Sequence, residues 1–298
     1  MNASIKAATH GRIKTKKRSQ LKAIWFQYRK NRLAMFGLAL FVILIFIALG
    51  SGFFVDYETQ VIEQHMKERL RPPSAAHWFG TDQYGRDVFA RVVWGARISL
   101  FVGLFTVGIA LVVGSLIGAL SGYYGGWLDN FLMRIMDVFL AIPGTILAVA
   151  IVGALGPGLF NVLLAMSIAR IPQFARIVRS SIISIRGQEF VEAARACGTK
   201  DRRIILRHIM PNAIGPVVVQ VTLHMATTIL GVAGLSFIGL GIEPPVPEWG
   251  SMLAEAREQM RYNPYLMFFP GMAIMLAVLS LNLIGDGLRD ALDPRMKN

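Results

Sequence analysis

Six long apolar stretches alternate with short polar, charged or turn-rich segments along this chain. They cover 33–55, 99–122, 131–154, 159–180, 213–237 and 265–285. A helix needs about 20 apolar residues to cross a bilayer, so each stretch is long enough. The pattern predicts an all-α polytopic membrane protein with six transmembrane helices. The first stretch exceeds the roughly 7–15 residues of a signal-peptide core. Although Ala48-Leu49-Gly50 mimics a cleavage site, we read it as an uncleaved span. On the second, Gly114, Gly118 and Gly122 recur every four residues, a face that lets another helix approach closely. Pro143 is placed to kink the third span and Pro172 to break the fourth. Residues 123–130 and Gly156-Pro157-Gly158 read as turns.

The polar segments divide the chain. Residues 1–32 carry Lys6, Arg12, Lys14, Lys16, Lys17, Arg18, Lys22, Arg29, Lys30 and Arg32 and no acid. Such a segment stays in the cytoplasm. Trp25, Phe26 and Tyr28 among these bases predict a helix lying on the membrane surface. After the first transmembrane helix at 33–55 comes a polar segment, 56–98, whose acids and bases balance, as expected outside. The membrane core follows over 99–298, with a basic loop at 187–212. Between Arg176 and Arg207, eight bases (176, 179, 186, 195, 200, 202, 203, 207) face three acids, Glu189, Glu192 and Asp201. That bias places the loop, and with six spans both termini, on the cytoplasmic side. Residues 239–264 face outward again, with four glutamates against two arginines.

The 187–212 loop is the polar island around which the rest is arranged. Its first part, 190–196, is made of good helix formers and stops at Gly198, as a C′ glycine does. Thr199 or Asp201 can cap a second short helix. On that helix Ile204, Ile205, His208 and Ile209 share one face, with Arg202, Arg203 and Arg207 on the others. This describes a helix–turn–helix finger with an apolar tip and a basic rim. It is either a plug for a partner's groove or a connector touching lipid headgroups. In the fifth span Gln220, His224, Thr227 and Thr228 fall within about 100° of arc. They either line a translocation path or hydrogen-bond between helices. Arg134 and Asp137, three apart, can pair. In 56–98, Arg86 is expected to pair with a neighbouring carboxylate. The proline-rich run at 241–250 serves as packing, or as a gate or docking surface.

Composition agrees with this pattern. Of 298 residues, 54% are hydrophobic and 16% charged, and mean hydropathy is +0.51. Soluble domains have about 25% charged residues. The net charge of +13 is concentrated in segments expected on the cytoplasmic side, so it does not imply nucleic acid. The single cysteine, Cys197, excludes an intrachain disulfide. No Gly-x-x-x-x-Gly-Lys-Ser/Thr occurs, so the chain does not cradle ATP in the usual way. Neither HExxH nor Gly-x-Ser-x-Gly is present, and no catalytic, cofactor or metal residues are assigned.

Four separated motifs resemble one family. The first is Glu192-Ala193-Ala194, three residues, Gly198, nine residues, then His208-Ile209-Met210-Pro211. It resembles the EAA loop of ABC-importer permeases, which usually have an aliphatic residue in place of His208 and Leu in place of Met210. The second runs from His77 through Gly85-Arg86-Asp87 to Gly95-Ala96-Arg97. The third is Gly241 to Gly250, and the fourth Asn282 to Arg295. Together they resemble the C-type permease subunit of the dipeptide, oligopeptide and nickel branch, over roughly 29–295. The resemblance implies a type I importer permease subunit for di- or oligopeptides or a related small solute. It implies a second homologous permease, two ABC ATPase subunits that bind ATP and Mg, and an extracytoplasmic substrate-binding protein. It places the chain in the plasma (inner) membrane of a prokaryote. It makes the finger a coupling helix, with Glu192, Ala193, Ala194, Gly198, Ile204, Ile205 and His208 as ATPase-coupling residues. An autonomous secondary transporter or channel built on Gln220, His224 and the Arg134/Asp137 pair is the second reading.

Overall fold

A computed structural model describes residues 20–292. The basic run through Arg18 and the closing Asp293-Pro294-Arg295 lie outside the described residues. Ten helices carry the architecture: α1 Gln20–Lys30, α2 Arg32–Phe54, α3 Val88–Tyr124, α4 Gly126–Ala141, α5 Gly144–Leu155, α6 Leu159–Arg186 and α7 Glu189–Ala196. They continue with α8 Asp201–Phe237, α9 Trp249–Ala256 and α10 Tyr265–Leu292. No strand occurs among the described residues. Four helices, α2, α3, α8 and α10, are each long and apolar enough to cross a membrane.

The third expected span is not one helix. Pro143 lacks the N–H that would continue it, and α4 and α5 meet there at 85°. The turn expected over 123–130 shrinks to Gly125, whose φ of +68° ends α3 and lets α4 begin at once. The break expected at Pro172 does not occur: α6 runs through it, with the ring buried. α6 carries Arg170, Arg176, Arg179 and Arg186, and it meets its neighbours through the last three.

Lipid tails are as apolar as leucine, so the bundle closes by tight packing and polar contacts. The glycine stripe of α3 provides the closest approach. A Cβ at Gly114 would lie 2.6 Å from Phe174 Cβ, one at Gly118 would strike the Ala175 carbonyl, and one at Gly122 would lie 3.0 Å from the Arg179 carbonyl. The stripe therefore seats α6, as its spacing predicts. Gly37 does the same for α2 against α10, where a Cβ would come 2.5 Å from Leu283 Cβ. The largest core cluster joins α2, α3, α6, α8, α9 and α10 around Phe174, Ile229, Trp249 and Leu281.

Two ends result. At one, the finger, Tyr123 of α3 and the ends of α6 and α10 meet. There α1 packs on α10: the Tyr28 hydroxyl donates to the Ala34 carbonyl (3.0 Å), and Asn31 caps α2 while donating to Asp290 (3.1 Å). Trp25 and Phe26 stay exposed, as a surface-lying helix requires, whereas Tyr28 turns inward. At the other end, residues 56–87 fold over the start of α3 and pack with α9. α3 begins eleven residues before the expected span at Ser99, because Asp87 caps it by accepting from the Ala90 N–H (2.9 Å).

Candidate functional site

Gly198 ends α7 with φ +72°, and no atom lies within 4 Å of where its Cβ would be. The requirement is conformational. The Gly198 N–H donates to the Arg195 carbonyl (2.8 Å) and the Thr199 N–H to the Ala194 carbonyl (3.1 Å), a Schellman closure. Glu189 and Glu192 occupy the first turn of α7, where the helix dipole favours acids. Glu192 is exposed and acts on Arg195 electrostatically; among the described residues it makes no direct ion pair. Ala193 is exposed beside it and Ala194 is half-buried.

The second arm differs from expectation. Neither Thr199 nor Asp201 caps a separate short helix. The residue before the helix is Lys200, without a side-chain cap, and the helix runs unbroken from Asp201 to Phe237 through one wide turn at Ile205–Ile209. Asp201 instead accepts from the Tyr123 hydroxyl at 2.6 Å. The Arg195 guanidinium lies 5.2 Å above the Tyr123 ring, so this one side chain ties both arms to α3.

Ile204, Ile205 and Ile209 do share one face, but that face is buried. They pack with Val191, Val178, Ile182 and Ile185 inside this chain. The expected apolar tip made of Ile204 and Ile205 is corrected accordingly, since they hold the finger to α6. His208 is half-buried. The free surface is a concavity lined by Cys197, Gly198, Thr199, Lys200, Arg202, Arg203, Leu206 and Arg207. Leu206, 59% exposed, is its apolar centre. Sequence reading passed over Leu206 because the helical wheel sees two faces of the helix and not which one a neighbour covers.

Gln220, His224 and Thr227 come together as expected. They line an open groove of about 420 Å³ with Leu140, Arg170, Gln173, Arg176, Ile177 and Leu223. Thr228 is fully buried and lies outside it. Thr227 spends its hydroxyl on its own helix, donating to Leu223 and His224 carbonyls. The His224 ring packs 4.9 Å from Phe174, and its Nε2 is buried without a partner. Arg170 and Gln173 were missed. An arginine midway along an apolar span was the available signal.

The expected Arg134–Asp137 pair does not form. Asp137 instead accepts from Arg176 Nη2 of α6 at 2.6 Å. Asp129 is held by Arg179 through two bonds of 2.6 Å and by Ser121. Arg186 donates to the Gly122 carbonyl (2.8 Å).

At the far end Arg86 and Arg91 are both buried. Arg86 meets Asp82 (2.6 Å), as its sequence neighbourhood suggests, and both arginines reach Glu255 Oε2 (2.9 Å each). Trp249 is buried over Gly95 and donates to the Val92 carbonyl (3.0 Å). Glu248 caps α9 by accepting from the Gly250 and Ser251 N–H groups. The proline-rich run therefore ends in packing. His77 faces Asp87 at 2.8 Å.

A bundle of long apolar helices, a broken span, a polar groove and a basic surface finger define a helical membrane permease. Residues 114–298 match the family described as binding-protein-dependent transport system inner membrane component, and the chain belongs to it. Residues 19–73 match the N-terminal transmembrane domain of oligopeptide transport permease C. The chain is 49% identical over 272 residues to a dipeptide transport system permease of Alkalihalophilus pseudofirmus, covering 91% of this chain and 89% of the relative. It is 45% identical over 273 residues to a glutathione transport system permease of Escherichia coli, covering 92% and 90%. The inward-facing MetNI methionine ABC transporter shares the fold, with TM-score 0.56, 22% identity, and coverage of 69% of this chain and 97% of that one. The chain is thus a C-type ABC-importer permease subunit of the inner membrane, a transport component that works with ATPase and substrate-binding partners.

Proposed function

We propose that the chain forms, with a second homologous permease, the path for short peptides in an importer driven by two ATPase subunits and fed by an extracytoplasmic binding protein. The dipeptide and glutathione relatives support that cargo class. In this reading the chain spans the membrane six times, α4 with α5 and α6 completing the set, and both termini lie in the cytoplasm with the finger. Basic residues clustered on the finger support that orientation. Residues 1–32, 33–55, 56–98 and 99–298 are then the cytoplasmic segment, first span, external segment and permease core.

One observation carries the mechanism. The finger's second arm and the groove residues Gln220, His224 and Thr227 lie on the same helix, α8, 37 residues long. At 1.5 Å rise per residue it reaches about 55 Å. A push on the Leu206 face by a closing ATPase pair would tilt the groove wall as a lever arm, switching the cavity between two openings. Ile204 and Ile205 join the finger to α6, so the two walls move together. Glu192, Ala193 and Ala194 face the ATPase from the first arm, Gly198 sets the angle between arms, and His208 borders the contact. Gln220, His224 and Thr227 border the path.

The test is purification of the tagged chain from its native membrane in mild detergent, followed by mass spectrometry. Stoichiometric ATPases and a second permease are expected. A chain that elutes alone and transports in liposomes without ATP would replace this reading with a secondary transporter.

A further inference from the structure

Within a membrane bundle, a guanidinium needs a counter-charge or a wet cavity. Two arginines of α6 obey this rule through carboxylates: Arg176 has Asp137 and Arg179 has Asp129. Arg170 does not. It is half-buried, twelve residues into α6, and meets no carboxylate within ion-pair distance among the described residues. Its hydrogen bond is a long one, from Nη1 to the neutral Gln173 Oε1 at 3.4 Å, on its own helix. A guanidinium has five N–H donors, so most of its capacity is unspent.

Its surroundings suit an anion. Arg170 and Arg176 are the charged residues lining the groove, and Arg176 is already neutralised. Gln173 and Gln220 add amides, and His224 Nε2 sits beside them unpartnered. The groove volume of about 420 Å³ falls among small-ligand sites, roughly 300–1,000 Å³. Leu140, Ile177 and Leu223 supply apolar wall for an uncharged side chain.

We propose that this groove receives cargo by its free carboxylate, with Arg170 as the receiving group, so that the permease itself selects short peptides carrying an unblocked C-terminus. The inference rests on the importer reading and adds to it a specificity residue inside the membrane. Guanidinium and carboxylate match as a two-donor, two-acceptor fork, and an amide in place of the carboxylate loses both charge and one acceptor.

The experiment is equilibrium dialysis of radiolabelled dialanine and of dialanine amide against the purified complete transporter, with the binding protein left out. The wild type is expected to prefer dialanine by about tenfold or more, the scale of a charge-assisted hydrogen bond. Arg170→Gln should weaken dialanine to the level of the amide and abolish the preference, since both changes remove one interaction. Arg170→Lys should keep part of it, as a point charge without the fork. Equal binding of the two ligands to wild type, no binding of either, or a preference that survives Arg170→Gln overturns the proposal. Equal binding would follow if Arg170 were spent on an acid of the second permease. If Arg170→Gln fails to assemble, the wild-type comparison and Arg170→Lys decide. ATP hydrolysis by the same preparation is scored in parallel: a coupled, hydrolysing complex without carboxylate preference sinks the site and leaves the importer reading standing.

Discussion

Replacing Gly198 by valine tests the lever directly. The native φ of +72° costs an L-residue roughly 1–2 kcal/mol, and a β-branched one more. No atom lies within 4 Å of the new Cβ, so the cost is dihedral and not a clash that neighbours could relieve. What opposes it is the anchoring of α7. Val191 is the buried residue of that helix, worth about 1.5–3 kcal/mol. Strain and anchoring are of the same size, so valine should free the first arm while the second, held by Ile204, Ile205 and Ile209, stays docked. The chain should remain folded and assembled, with the angle between arms lost. In proteoliposomes holding the complete transporter, cargo-stimulated ATP hydrolysis should persist while uptake per ATP falls about tenfold, equivalent to 1.4 kcal/mol. Gly198→Ala should fall between, and Gly198→Asn should stay near wild type, because asparagine tolerates the left-handed region. Wild-type uptake per ATP in Gly198→Val would refute the lever.

Other perturbations probe the remaining pieces. Leu206→Asp should release the ATPases from the purified complex and leave the chain's thermal stability unchanged, whereas Ile204→Asp should unfold the finger; the reverse pattern would restore the isoleucines as the docking surface. Gly118→Ala should lower stability by about 1–3 kcal/mol through overpacking against the Ala175 carbonyl, read as a lower melting temperature in detergent. Gly108→Ala, on the same helix with nothing within 4 Å, is the neutral control. Glu255→Gln should cost about 3–5 kcal/mol, because it strips the shared carboxylate from two buried arginines; a melting temperature equal to wild type would remove that latch from the account.

How much of this was legible beforehand depends on the range of the physics involved. Hydropathy and length are properties of a segment, so the existence of α2, α3, α8 and α10 followed from the apolar stretches alone. Backbone dihedrals are local too, so Gly198 could be assigned as the stop of α7 before any contact was known. The glycine stripe announced a close helix partner without naming it. The bend at Pro143 was legible, although its size of 85° was not, whereas Pro172 leaves α6 intact, because neighbours in the bundle decide whether the freed backbone groups are satisfied.

The sequence by itself determined the apolar helices α2, α3, α8 and α10, the stop at Gly198, the basic finger and, through its motifs, the resemblance to the family. The tertiary structure decided which side of each helix is free. Ile204 and Leu206 are two residues apart with similar hydropathy, and only the presence of α6 buries the first and leaves the second exposed. The three-residue spacing offered Arg134 as the partner of Asp137, and the packing of α4 on α6 gave it Arg176 instead. Glu255 meets Arg86 across 169 positions, and that Arg170 lacks a carboxylate partner emerges only when Asp137 and Asp129 are found paired with Arg176 and Arg179. Electrostatic and packing partners are set by distance in space, which no periodicity along the chain encodes.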